Sequence, residues 1–259
     1  MPFQTVKDLK MYYREQGSGD PILFIHGNVS SGAWWDYTFA RMQSSPYHLI
    51  APDLRGRGDT EGKSDDWTIA TLADDVHTLA QVLQLGKVHL VGHSLGALVC
   101  IQYALDHHHE VRSLTLLAPG WVAGDMPAEL GDPARIQMLV ANKAMLKMAL
   151  RAVAMKHPQK GWDYLETESL KQTDAASLRT PQALYAFNVA ARLGELGTIP
   201  TLITRGVGDM VVPEAIVMHS VKGIPGAHYV QIADATHSPN VETPDEWVRL
   251  LRQHVEGVK

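Results

Sequence analysis

Only one cysteine, Cys100, occurs in the 259 residues, so no internal disulfide can form and a reducing compartment suits the chain. It lies in the apolar run Leu98-Val99-Cys100-Ile101, which predicts a buried structural thiol rather than a reactive one. Nowhere does the chain hold the run of about eighteen apolar residues that a membrane-spanning helix needs. Basic runs are absent too, and the formal charge of −5 argues against nucleic acid or an anionic membrane surface as a partner. The opening Met1-Pro2-Phe3-Gln4-Thr5-Val6 lacks a charged leader followed by an apolar stretch, so a cytoplasmic location is expected. Internal repeats and low-complexity tracts are lacking, and nothing sets an oligomeric state.

What is present is ordinary for a globular enzyme: 45% apolar and 20% charged residues, in a chain long enough for one sizeable core. Short β-like runs alternate with helical patterns, the mark of an α/β protein with a mostly parallel, doubly wound sheet. Residues near 5 to 16 read as an antiparallel opening pair, followed by buried strands at Ile22–Ile25, Leu49–Ala51, Val88–Val91, Leu114–Leu117, Thr201–Thr204 and His228–Ile232. Ala70, Leu72, Ala73, Val76, Leu79, Ala80 and Leu83 form a helical stripe, with Gly86 as the expected C-terminal cap. The alternation stops after Pro119 for about eighty residues, far more than one crossover requires. Asp132-Pro133 and Thr180-Pro181 read as helix starts and His157-Pro158 as a stop. The expected organisation is a core of residues 1–119 and 197–259 carrying a helical cap at 120–196.

The chemistry concentrates in a few places. Gly92-His93-Ser94-Leu95-Gly96 directly follows one predicted strand and precedes a helical run. Such a turn places a serine hydroxyl above the sheet edge, at a helix N-terminus where the Leu95 amide can face a developing oxyanion. A serine hydroxyl needs a base and a group to orient that base. His237, on the loop after the last strand, is the expected base, and Asp209, after the preceding strand, is the expected acid, with Asp125 as a second position from which an acid could reach. His26-Gly27-Asn28 ends an early strand and would bring the Asn28 amide to the oxyanion, with His26 itself structural. His107-His108-His109 ends a helix, where consecutive side chains diverge, so a solvated end is expected and no metal or cofactor is assigned.

With these motifs in hand, the sequence resembles the α/β-hydrolase superfamily, in its cap-bearing esterase, dehalogenase and epoxide-hydrolase branch. The resemblance covers residues 1–119 and about 198–259, and rests on His26-Gly27-Asn28, Asp53-Leu54-Arg55-Gly56-Arg57-Gly58, the Ser94 motif, Asp209 and His237. Dehalogenases and epoxide hydrolases of that branch attack with aspartate, whereas Ser94 stands at that position here and implies acyl transfer. The expected activity is hydrolysis of small apolar carboxylic esters, with lactones and thioesters in reach. The same triad also serves carbon–carbon bond hydrolysis or perhydrolysis, and such a pocket can hold a small ligand without turnover. On a continuous cap helix Met138, Met145, Met148 and Met155 would share one face and roof an apolar pocket, to which Trp34, Trp35 and Trp121 could add walls.

Overall fold

A computed structural model describes residues 2–62, 66–156 and 160–258. Its strands are β1 (Phe3–Val6), β2 (Leu9–Gly17), β3 (Asp20–Ile25), β4 (Tyr47–Pro52), β5 (Glu61–Gly62), β6 (Val88–His93), β7 (Val111–Leu117), β8 (Thr201–Gly206) and β9 (His228–Ile232). They form one sheet in the order β1-β2-β4-β3-β6-β7-β8-β9, with β5 paired to β2. Pairing is antiparallel from β1 to β4 and parallel from β4 to β9. Every residue of β6 and of β8 is buried, because helices cover both faces of the sheet there.

Strand alternation divides the core into two layers. Leu23, Ile25, Leu90 and Leu116 face the helices Ile69–Val82 and Leu95–Asp106, while Ile22, Phe24, Val91 and Leu117 face Phe39, Met42, Trp247 and Leu251 on the other side. The helix Ile69–Val82 does not end at Gly86 as the sequence suggests. Gln84 takes the left-handed backbone (φ 54°), with its N–H on the Gln81 carbonyl and that of Leu85 on the Ala80 carbonyl. This is the two-bond helix terminus usually built on glycine, displaced two residues upstream of the expected cap.

Between β7 and β8 the chain forms the helices Ala128–Gly131, Pro133–Ala141, Lys143–Ala152, Trp162–Ser169 and Asp174–Ala186, then a tighter 3-10 turn at Ala190–Thr198. Asp132 caps the second of these by accepting from the Ala134 N–H. Thr180-Pro181, in contrast, does not start a helix. Thr173 caps that helix earlier, and Pro181 lies in its interior, which leaves one i to i−4 bond unmade. The expected stop at His157-Pro158 lies outside the described residues. Trp34, Leu150, Ala154, Trp162, Leu165 and Val241 pack together and tie these helices to the core, the Trp34 and Trp162 rings meeting edge to face at 6.0 Å. Among the described residues no helix is long and apolar enough to cross a membrane.

Candidate active site

Ser94 follows β6 directly and has φ 52° and ψ −113°, a conformation that L-residues seldom adopt. Two glycines make the turn sterically feasible. A β-carbon on Gly96 would stand 2.1 Å from the Ile25 carbonyl oxygen, and one on Gly92 would stand 2.3 Å from that of Gly96. The Ser94 N–H is anchored on the Leu117 carbonyl at 2.9 Å, and Leu95 is the first residue of the following helix, whose leading N–H groups have no intrahelical acceptor.

Asp209 and His237 lie on the loops after β8 and β9. His237 Nδ1 donates to Asp209 Oδ2 at 2.8 Å, and both side chains are buried. That bond puts the proton of a neutral imidazole on Nδ1 and leaves Nε2 as the basic nitrogen. Asp209 Oδ1 accepts from the Val211 and Val212 amides at 2.8 and 3.0 Å. Burial pushes the Asp209 carboxyl upward, but the His237 contact and the two amides outweigh it and hold the group below the usual carboxylate range. Arg205 braces the loop by donating to the carbonyls of Asp209 and Val212. Glu242 braces the histidine loop by accepting from the Thr236 amide and hydroxyl and the Ser238 amide. Asp125 lies elsewhere, its carboxylate 3.4 Å from His219 Nδ1, and does not meet His237.

Ser94, His237, Asn28 and Trp34 line one cavity of about 150 Å³. Its roof is apolar: Leu139 from one inserted helix, then Leu146, Ala149 and Leu150 from the next, with Val153 just beyond. The Ser238 hydroxyl donates to the Val153 carbonyl at 2.6 Å and so fastens this roof to the histidine loop.

The methionine stripe does not form the roof. Met138, Met145, Met148 and Met155 are 69%, 45%, 71% and 63% exposed. Asn142 breaks the assumed continuous helix and caps a new one by accepting from the Ala144 and Met145 amides, which separates Met138 from the other three. In the new helix, Lys143–Ala152, the inward face belongs to Leu146, Ala149 and Leu150, which turns Met145 and Met148 outward, and Met155 lies beyond its end. Trp35 and Trp121 are buried in the two core layers and do not line the cavity. Sequence reasoning missed the inward stripe although its spacing was available.

Two further histidines near the site are structural. His26 donates from Nδ1 to the Gly27 carbonyl and accepts the Leu54 amide on Nε2, and His93 donates from Nε2 to the His237 carbonyl at 2.9 Å. Burial drives both imidazoles down to about 3, so both are neutral at physiological pH. Cys100 is fully buried, which raises its thiol pKa and makes it inert. Among the described residues, the side chains of His77, His107 and Glu110 place candidate ligand atoms within 4.8 Å of one another. The His77 and His107 rings stack at 3.5 Å and 8°, so their in-plane lone pairs run side by side instead of converging on one ion.

Residues 22–250 match the family described as the alpha/beta hydrolase family. RutD of Agrobacterium fabrum, provisionally named a carbamate hydrolase, is 28% identical over 255 residues, spanning 94% of this chain and 96% of that protein. Lipase 1 of Psychrobacter immobilis is 31% identical over 254 residues, spanning 92% of this chain and 78% of the lipase. Among solved structures, the esterase EaEST of Exiguobacterium antarcticum superposes with a TM-score of 0.88 at 22% identity, over 98% of this chain and 99% of that one, a likeness of fold.

Proposed function

The chain belongs to the alpha/beta hydrolase family, and from that premise we propose that it is a serine hydrolase of small apolar carboxylic esters, with lactones and thioesters as related substrates. One observation carries the reading. A serine in a strained turn at a helix N-terminus shares a cavity with a histidine whose other ring nitrogen is held by a buried carboxylate at 2.8 Å. In this reading Ser94 Oγ attacks the ester carbonyl while His237 Nε2 takes its proton, and Asp209 stabilises the imidazolium. The amides of Asn28 and Leu95 receive the oxyanion. Collapse breaks the carbon–oxygen bond of the ester, the alcohol leaves with the proton from His237, and the acyl group stays on Ser94. Water, deprotonated by His237, then releases the acid.

The inserted helices act as a cap over the acyl site, and their apolar lining selects an uncharged substrate. A cytoplasmic setting suits a chain with a single, buried thiol. Labelling by a fluorophosphonate tests whether Ser94 is armed, and a series of p-nitrophenyl esters tests the substrate class. Failure of wild-type protein to label while a known serine esterase labels beside it would refute the reading.

A further inference from the structure

Arg57, in the loop after β4, is 1% exposed and has no carboxylate within ion-pair distance among the described residues. Its neighbour Arg55 shows the usual solution for a buried guanidinium: two hydrogen bonds to the carboxylate of Asp75, at 2.6 and 2.8 Å. Among the described residues Arg57 instead meets only neutral acceptors. Nη2 donates to Asn28 Oδ1 at 2.6 Å, to Thr180 Oγ1 at 2.9 Å and to the Ala176 carbonyl at 3.5 Å, and Nη1 donates to Gln172 Oε1. Burial lowers its pKa only to about 10, so the guanidinium is charged at neutral pH.

The acceptors fall in two parts of the molecule. Gln172, Ala176 and Thr180 belong to the inserted segment, whereas Asn28 belongs to the loop after β3 that lines the cavity with Ser94. Backbone bonds fix the same junction, from the Gly58 amide to the Lys171 carbonyl and from the Thr173 amide to the Gly56 carbonyl. The Asn28 loop needs holding, because its next residue, the β-branched Val29, sits at φ 51°.

We propose that Arg57 is a positioning residue for hydrolysis: it locks Asn28 to the inserted helices and places an uncompensated positive charge behind the loop that receives the oxyanion. This inference rests on the serine-hydrolase reading above. Among the described residues the charge has no counter-ion, and the tetrahedral intermediate supplies one. Such an interaction strengthens only as negative charge develops, so it acts on kcat and leaves ground-state binding nearly unchanged. Because the guanidinium's other acceptors lie on the inserted segment, the hole is fully set only when those helices are docked.

The test uses the full chain, with two readouts: turnover of p-nitrophenyl butyrate and the rate of Ser94 labelling by a fluorophosphonate, whose phosphoryl oxygen enters the same hole. Arg57→Gln, which retains hydrogen-bond donors but no charge, is expected to lower kcat and the labelling rate together by about 30-fold with KM within about twofold. Arg57→Lys, which restores charge without the fork, is expected to recover at least a third of the lost activity on a logarithmic scale. Thr180→Val, which removes one acceptor on the inserted side and leaves the cation in place, is expected to lower kcat about threefold, and it serves if the Arg57 variants fail to fold. If wild-type protein labels but Arg57→Gln turns over within twofold of it, if Lys is no better than Gln in folded protein, or if Thr180→Val leaves kcat unchanged, the proposal is wrong. Wild-type protein that does not label overturns the serine-hydrolase reading and this inference with it.

Discussion

A β-carbon on Gly206 would stand 2.0 Å from the carbonyl oxygen of Thr236. This close approach joins the loop carrying Asp209 to the loop carrying His237, and two backbone bonds seal it: the Val207 amide to the Ile232 carbonyl and the Gly208 amide to the Ala235 carbonyl. Any side chain at position 206 must push the loops apart, so the carboxylate and the imidazole it holds at 2.8 Å would separate. Gly206→Ala is expected to destabilise the fold by about 1–3 kcal/mol and to lower kcat more than it raises KM. Unchanged thermal unfolding together with full activity would show that the contact is not a constraint.

If Ser94, His237 and Asp209 act as one unit, Ser94→Ala should lower kcat by roughly 10⁴ to 10⁶, leaving a residue of rate from the oxyanion hole and binding. Asp209→Asn should also be severe, because the amide cannot fix the same tautomer of His237. Asp125→Asn should be silent, since that carboxylate sits beside His219. Steady-state kinetics on the three variants decides the matter, and a crippled Asp125→Asn would move the acid role away from Asp209.

The residues around Ser94 could be placed from sequence because each follows a strand whose composition is unmistakable: Val88–Val91, Thr201–Thr204 and His228–Ile232 read as buried runs, and the chain order then puts their loops at one sheet edge. Contacts that depend on how inserted helices sit were not legible. The spacing of Met138, Met145 and Met148 suggested one inward face, but Asn142 satisfies amides in a break that hydrophobic periodicity does not register. Gln84 likewise takes a cap position that local preference assigns to glycine, closing the helix with its own bond to Gln81 and that of Leu85 to Ala80, while Leu83 and Leu85 still pack on the core. Arg57 was invisible as a buried cation, since its acceptors come from residues 28, 172, 176 and 180 and only the fold brings those together.

The buried histidines make acid stability predictable in sign. His26 and His93 have folded-state pKa values of about 3, below the ordinary value of 6.5. Each therefore contributes stability that is present above about 6.5 and is lost as pH falls toward 3, because the unfolded chain takes up a proton that the folded one refuses. Between those limits each group adds about 1.4 kcal/mol per pH unit to the slope of unfolding free energy. His93→Gln should flatten that slope by one such increment between pH 6 and 4 in this range, whatever it does to stability at pH 8. Denaturant unfolding at several pH values measures it, and parallel curves for the variant and wild type would show that His93 titrates normally in the fold.

If Ser94 is acylated as proposed, the cavity sets an upper size on the acyl group. Its volume of about 150 Å³ is lined by Val29, Trp34, Leu139, Leu146, Leu150 and Val211 among others, and an apolar void of that volume accommodates a benzene-sized group. Each methylene buried there contributes about 0.8 kcal/mol, nearly fourfold in kcat/KM, until the space is filled. The p-nitrophenyl series should accordingly climb from acetyl through butyryl, level off near hexanoyl or benzoyl, and fall for longer chains. Charged acyl groups should be poor substrates, since no Lys, Arg, Asp or Glu is among the described residues that line the cavity. Leu146→Ala removes a roof side chain and should move the optimum toward longer acyl groups by about two carbons, along with some loss of stability from the enlarged cavity. Met148→Ser should leave the profile where it was, because that side chain is 71% exposed. The contrast between positions 146 and 148 is the decisive measurement: if Met148→Ser shifts the chain-length optimum and Leu146→Ala does not, the helix presents the opposite face to the substrate.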